Sequence, residues 1–369
     1  MKVLIVGSGG REHAIAWSVS QSKKVDKIYC APGNGGISQI AECVDIAAME
    51  FDNLADFAEK NLTIIGMDDP LVGGIVDVFE ERGLRVFGPR KNAAIIEGSK
   101  SFSKDLMKKY NIPTCHYETF NSPEEALLYL ENASFPIVLK ADGLALGKGV
   151  LICQTLEEAE AGVTTLMLDK QFGEAGDTIV IEDFMTGREA SVLCFCDGTH
   201  IKPMTSAQDH KRAKDGDKGL NTGGMGTFSP SPFYTDDVKE FCEKHIYQPT
   251  MDAMKAEGRD FTGILFVGLM LTEDGPKVLE YNARFGDPEA QVVLPRMEND
   301  IIDVIDACIN GRLNEIELSF EDNAAVCVVL ASDGYPEHYE KGKLIKGLEN
   351  FEGKDKEGYY AFHAGTKKT

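Results

Sequence analysis

Positive charge is scarce in this chain. Lys and Arg total 38 against 60 Asp and Glu in 369 residues, a formal net charge of −22, and so acidic a surface is repelled by nucleic-acid phosphates and anionic lipid headgroups. That argues against a general nucleic-acid or membrane-surface binder, but not against a small phosphorylated substrate, which needs only local positive charge. Paired cysteines are also lacking: the nine thiols, at 30, 43, 115, 153, 194, 196, 242, 308 and 327, are odd in number and contain no CxxC. Free thiols in a reducing cytoplasm are expected, and no zinc site. The longest apolar run, residues 264–271, already includes Gly268 and falls far short of the ~20 residues that span a bilayer. Glycine at position 7 comes too early for a signal peptide, so a soluble cytoplasmic protein is expected. Neither G-x-S-x-G nor H-E-x-x-H occurs, which removes the hydrolases built on those motifs.

Glycine, by contrast, is abundant at 37 residues, above the usual ~7%, and calls for tight backbone loops. The length suggests two to three domains of ~150 residues each. A β-branched run at 2–6 and strand candidates at 27–30, 62–65 and 84–87 alternate with helix-like segments at 53–60 and 71–82, which predicts a parallel α/β sheet. A helix over 101–110 follows, and a domain boundary is placed near 99. Strands at 137–140, 150–153 and 178–181 suggest a small lobe within 114–187. Strands at 189–195, 263–272 and 277–280, with a helix over 236–257, carry the chain to 325, and a strand at 325–330 opens the last segment, 326–369.

The first strand runs into Gly7-Ser8-Gly9-Gly10-Arg11-Glu12-His13. The third glycine of the dinucleotide fingerprint is replaced by Glu12, while Arg11 and His13 sit at a helix start where backbone N–H groups favour an anion. These residues suit a phosphate or phosphosugar, against the plainer reading of a simple turn. A second loop, 32–36, lies at the same carboxyl edge, where open α/β sheets bind ligands. Residues 140–150 join two strands with three glycines and two lysines; the glycines permit close backbone approach to phosphate and the lysines neutralise it. Lys148 precedes glycine and a strand rather than Ser/Thr and a helix, so this is no Walker A loop. Glu280 and Asn282 end a strand on one face, a spacing that suits Mg²⁺ completed by water and phosphates, though an exposed E-x-N is common without function. Arg284, Asp287 and Glu289 follow within a turn, as a site for a carboxylate substrate requires. Two polar loops, 208–212 and 221–226, read either as solvated clusters or as anion contacts. The stretch 215–219 lacks the acids of a calcium loop.

In order along nearly the whole chain, GSGGREHA at 7–14, APGNGG at 31–36, EGSKSFSK at 97–104, VLKADGLALGKGV at 138–150, IEDF at 181–184, QDHKR at 208–212, NTGGMG at 221–226, EYNARFGDPE at 280–289 and FHAGTK at 362–367 resemble the glycinamide ribonucleotide synthetases (phosphoribosylamine–glycine ligases) of the ATP-grasp superfamily. The resemblance implies an N-terminal Rossmann-like phosphosugar-binding domain (1–98), a two-lobed ATP-grasp body (99–325) and an incomplete C-terminal domain (326–369) with exposed apolar strand edges. It implies ATP contacts at Lys104, Lys140, Gly143, Gly147, Lys148, Gly149, Glu182, Phe184 and Glu189, and Mg²⁺ or Mn²⁺ on Glu280 and Asn282. Arg284, Lys140 and Asp287 become the catalytic candidates. Substrate contacts are implied at Gly9, Gly10, Arg11, Glu12, Asn34, Gly35, Asp209, His210, Lys211, Arg212, Thr222, Gly223, Gly224, Met225, Arg284, Gly286, Asp287 and Pro288.

The implied reaction joins glycine to 5-phospho-β-D-ribosylamine in de novo purine synthesis, with ATP as co-substrate and glycyl phosphate between, in a monomer or weak homodimer. Two departures stand out: Gly66-Met67-Asp68-Asp69-Pro70-Leu71 replaces the family's G-P-E-A-P-L, and Leu146 stands where a small residue is usual. A ligase activating another carboxylate, or a silent nucleotide-binding relative, remains compatible with the sequence.

Overall fold

The computed structural model describes residues 1–59, 61–145, 149–216 and 218–368. The expected parallel sheet is present: β1 (Lys2–Gly7), β2 (Lys27–Pro32), β3 (Glu42–Cys43), β4 (Leu62–Ile65) and β5 (Arg85–Phe87) lie in the order β3-β2-β1-β4-β5, every pair parallel. Val3 to Val6 are fully buried, as a central strand covered on both faces demands. The loops after β1, β2 and β4 therefore meet at one carboxyl edge. The helix expected over 71–82 is two, Asp68–Gly73 and Ile75–Glu81, because Gly74 takes the left-handed conformation (φ +101°) and ends the first by accepting no side-chain strain.

A second sheet, β6 (Tyr117–Phe120), β7 (Ile137–Ala141), β8 (Val150–Cys153) and β9 (Ile179–Asp183), is antiparallel in the order β6-β9-β7-β8 and packs on its own apolar cluster around Leu130, Leu139, Val163 and Ile181. The glycine-lysine loop is the β7–β8 connection; its Gly147 and Lys148 lie outside the described residues.

The third sheet, β11-β10-β16-β17, is built from β10 (Arg188–Asp197), β11 (Ile201–Pro203), β16 (Thr262–Thr272) and β17 (Gly275–Asn282). Its apolar faces join the core that also packs the N-terminal helices. The register between β16 and β17 slips after Gly268, which faces Glu280, while Leu269 faces Val278. Such a bulge re-aims the side chains beyond it, here Glu280 and Asn282. The helix expected over 236–257 forms as Asp236–Cys242 and Gln248–Ala256 joined by a wide π-turn, Glu243–Tyr247. Pro249 lacks an N–H and cannot close an ordinary turn at that point.

Short strands complete the site region: β12 (Gln208–Asp209), β15 (Gly226–Ser229) and β18 (Ala325–Val328) form one sheet, and β13 (Arg212–Lys214) with β14 (Lys218–Asn221) a hairpin. β18 is the outer strand, with Val326 and Val328 74% and 71% exposed. The tail then returns to the first sheet, where Phe362 and His363 pack edge-on against His13. Among the described residues no helix is long and apolar enough to cross a membrane, and all nine cysteines are free.

Candidate active site

Between the small sheet and the large one lies a buried ion triad. The Glu182 carboxylate at the end of β9 lies 3.0 Å from Lys104 Nζ and 2.9 Å from Lys140 Nζ, and all three side chains are buried. Burial alone would raise the Glu182 carboxyl, but the two ammonium groups, Lys140 foremost, outweigh it and hold it below the ordinary value. Lys140 is kept charged against its own burial by Glu182 and then Glu280. Lys140 also donates to the carbonyl of Leu279 at the β17 bulge (3.3 Å), and Lys104 to Thr114 Oγ1 (2.8 Å). Two lysines rooted on different elements thus converge on one acid, an arrangement that keeps cations in a site where phosphate charge can replace or join the carboxylate. Phe184, 38% exposed, follows the end of β9, and the exposed Glu189 stands at the start of β10.

At the carboxyl end of β17 the Glu280 side chain faces cations. Lys211 Nζ is 3.4 Å away, and this ammonium first, with Lys140, Lys100 and Arg284 behind it, holds the Glu280 carboxyl down to about 2 against its burial. Lys211 is raised in turn, chiefly by Glu280. Asn282 Oδ1 accepts from Arg284 Nη2 (3.2 Å). Among the described residues no three His, Cys, Asp or Glu gather as a metal cluster. An ionised carboxylate and an amide oxygen on one strand face nevertheless fit a hard divalent cation that takes its other oxygens from phosphates and water.

The first glycine loop meets this end of the site. Arg11 Nε pairs with Glu12 (2.7 Å) and Arg11 Nη1 donates to the Phe285 carbonyl (3.1 Å). The N–H of Gly9 donates to Glu12 Oε2 (2.5 Å) and that of Arg11 to Asp287 Oδ2 (3.3 Å), so two loop donors face carboxylates. A side chain at Gly7, Gly9 or Gly66 would overlap the Glu12 carboxylate, at 2.4 to 2.8 Å; Glu12 fills the space that the missing third glycine would leave.

Opposite lies the 221–226 loop. Thr222 donates through N and Oγ1 to the Lys211 carbonyl (2.7 and 2.9 Å), Gly224 N donates to Thr222 Oγ1 (3.0 Å) and Met225 N to the His210 carbonyl (2.8 Å). Gly223 N donates to the Tyr335 hydroxyl (3.3 Å). At Gly224, φ +129°, a Cβ would lie 2.5 Å from Pro288 and 2.8 Å from Asp209 Oδ1, so only glycine lets these three segments meet. Burial first and Glu289 next push the Asp209 carboxyl up. Gly286 is similarly pressed on the Glu289 carboxylate.

Several anticipated residues have partners within the protein. Arg212 Nη1 donates to the Gly219 carbonyl (2.9 Å) and braces the β13–β14 hairpin. The His210 ring packs on Phe228, 5.7 Å between centroids. The Asn34 amide donates to the carbonyls of Ser8 (2.9 Å) and His363 (2.7 Å), and Gly35 N to the Thr366 carbonyl (3.0 Å), so the tail covers this loop. Gly143 offers its carbonyl to Lys100 Nζ (3.0 Å), and Gly149 accepts from Ala141 N (2.8 Å) across the hairpin. Lys100 and Glu97 were not singled out from sequence, although both lie in the 97–104 motif. Lys100 is lowered by burial while Glu280 holds it up, and Glu97 pairs with Arg284 (3.1 Å).

Known proteins resemble this chain along its length. Three models of phosphoribosylglycinamide synthetase cover the chain: the N domain at residues 1–97, the ATP-grasp (A) domain at 98–290 and the C domain at 325–369. Phosphoribosylamine–glycine ligase of Halalkalibacterium halodurans is 52% identical over 100% of this chain and 85% of its own length. The ligase of that name from Caldanaerobacter subterraneus is 48% identical over 99% and 87%. The crystal structure of phosphoribosylamine–glycine ligase from Thermotoga maritima superposes with a TM-score of 0.86 at 32% identity, covering 100% of this chain and 88% of that one.

Proposed function

Because this chain belongs to the phosphoribosylglycinamide synthetase family, we propose that it joins glycine to 5-phospho-β-D-ribosylamine, converting ATP to ADP and phosphate and forming glycinamide ribonucleotide. The observation that carries the reading is the linkage of three groups: the Lys104–Glu182–Lys140 triad, tied through Lys140 to the Leu279 carbonyl, the Glu280–Asn282–Arg284 strand end, and the Arg11–Asp287 loop contact, which shares the Phe285 carbonyl with Arg284.

The glycine carboxylate is a poor electrophile because oxide leaves badly. Its oxygen attacks the γ-phosphorus, ADP departs, and the resulting glycyl phosphate carries a good leaving group. The sugar amine then attacks the carbonyl carbon, phosphate leaves and the amine gives up one proton. Arg284 holds the carboxylate in line, a contribution of proximity rather than acid–base chemistry. Lys140 and Lys104 spread the charge on the transferred group, and the site must exclude water that would hydrolyse the acyl phosphate. Glu182, Phe184 and Glu189 line the nucleoside side. Glu280 and Asn282 are the residues to hold Mg²⁺ or Mn²⁺, which supplies charge neutralisation on the phosphates. Gly9, Gly10, Arg11 and Glu12, with the Asn34–Gly35 loop, form the phosphoribosylamine side, and Lys211, Asp209 and the 222–225 loop border the glycine side.

We place the activity in the cytoplasm, in a monomer or weak homodimer that takes small molecules and no nucleic acid; the free thiols and the charge of −22 support this. The test is ADP release with Mg²⁺ and ATP in the presence of both glycine and freshly generated phosphoribosylamine, and with each omitted. Release that needs both is expected. Release triggered by bicarbonate or another amino acid in place of glycine would point to a different carboxylate substrate.

A further inference from the structure

Glu97 lies outside every strand that bears the site, yet it grips the turn that follows β17. It stands at the end of the helix Lys91–Gly98 and is 6% exposed. One carboxylate oxygen, Oε1, meets Arg284 Nη2 at 3.1 Å; the other, Oε2, accepts the backbone N–H of Ala283 at 2.7 Å. The same Nη2 donates its other proton to Asn282 Oδ1 (3.2 Å), and Nη1 donates to the Phe285 carbonyl (3.2 Å).

Two physical consequences follow. A guanidinium only donates, so the amide of Asn282 must turn its oxygen, not its nitrogen, toward Arg284. And a buried arginine on a rotatable stem keeps one direction only where fixed acceptors hold it. Here those acceptors are Glu97, Asn282 and a backbone carbonyl, which leave the Arg284 Nε–H buried and without a partner among the described residues. Burial pushes the Glu97 carboxyl above its ordinary value, and Arg284 followed by the Ala283 N–H opposes it.

We propose that Glu97 is a positioning residue for the ligation: it sets the aim of Arg284, and through it the affinity for the amino-acid carboxylate. This rests on the reading above that Arg284 meets glycine. A purely structural Glu97 would anchor the helix without affecting one substrate more than another.

The test is Glu97→Gln, isosteric but uncharged, with steady-state KM for each substrate, thermal midpoint and a crystal structure. The glycine KM should rise about tenfold or more, with the ATP KM within about twofold of the parent. Glu97→Asp, charged but one methylene short, should recover part of the glycine affinity. In an Arg284→Ala background, Glu97→Gln should add no further rise, because residues acting as a unit are not additive. In the crystal, Arg284 Nη2 should leave its present direction. An unchanged glycine KM, an additive effect in the Arg284→Ala background, or an unmoved Arg284 would each overturn the proposal. Failure of the parent protein to release ADP in response to glycine would overturn the ligase reading instead, and the crystal geometry would still decide whether Glu97 positions Arg284.

Discussion

Arg11 and Arg284, 273 positions apart in sequence, donate to the same acceptor, the carbonyl oxygen of Phe285, at 3.1 and 3.2 Å. One guanidinium comes from the glycine loop of the parallel sheet and the other from the turn after β17. The glycine loop after β1 and the turn after β17 are therefore joined through a single peptide group, and Arg11 is tied to two acids, Glu12 and Asp287.

That coupling predicts the behaviour of Arg11 variants. Glu12 is 1% exposed, and a buried ion that loses its partner costs about 3–5 kcal/mol. Arg11→Met should lower unfolding stability by roughly that amount, and Arg11→Met with Glu12→Gln should recover more than half of it. Urea denaturation of the two variants measures the difference; equal losses would mean that the pair does not stabilise the loop.

At the end of β17, Glu280→Ala should reduce ADP formation by about 10²-fold or more, since it removes the ionised carboxylate proposed to hold the divalent cation. Far-UV circular dichroism should be unchanged. The carboxyl titrates near 2, so it stays ionised throughout the working range and should contribute no limb to the rate profile above pH 5. A rate that falls with an Glu280-dependent midpoint near pH 6 would contradict this.

The Lys104–Glu182–Lys140 triad predicts a different pattern. Glu182→Gln leaves two buried ammonium groups facing one another, so stability should fall by about 3 kcal/mol and the ATP KM should rise, with glycine KM little affected. Binding of a fluorescent ADP analogue, titrated against both proteins, separates loss of nucleotide affinity from loss of turnover.

The tail gives a pH prediction. His363 N donates to His13 Nδ1 at 2.8 Å, which requires His13 to be neutral. Burial, and then His363, lowers the His13 pKa to about 4, against ~6.5 when unfolded. The unfolded chain therefore binds the extra proton first, so this contribution is complete above pH ~6.5 and fades as pH falls toward 4, by at most roughly 3 kcal/mol. His13→Asn keeps an acceptor that does not titrate. Its thermal midpoint should fall less than that of the parent between pH 6.5 and pH 4.

Much of the fold is legible along the chain because its signals are local. The parallel strands announce themselves as short, largely apolar runs between helical segments, and the 140–150 connection joins two strands as expected. Where the expectations were too coarse, one residue was responsible: Gly74 divides one helix in two, and Pro249 forces a wide turn into another. The candidate residues were legible by type, less so by direction. Arg212 and the His210 ring are bound to their own hairpin region, and a motif of charged letters does not say which of them turns inward. Lys100 and Glu97 were missed since their partners, Gly143 and Arg284, lie 43 and 187 positions away.

The sequence by itself determined the elements, the glycine loops and the set of charged groups, because propensity, periodicity and turn chemistry act between neighbours. Only the tertiary structure decided that Glu12 fills the first loop, that a bulge at Leu279 re-aims Glu280 while its carbonyl takes Lys140, and that Glu97 meets Arg284. Those outcomes depend on which distant charges share a desolvated space, where each must find a partner, and no local rule along the chain carries that information.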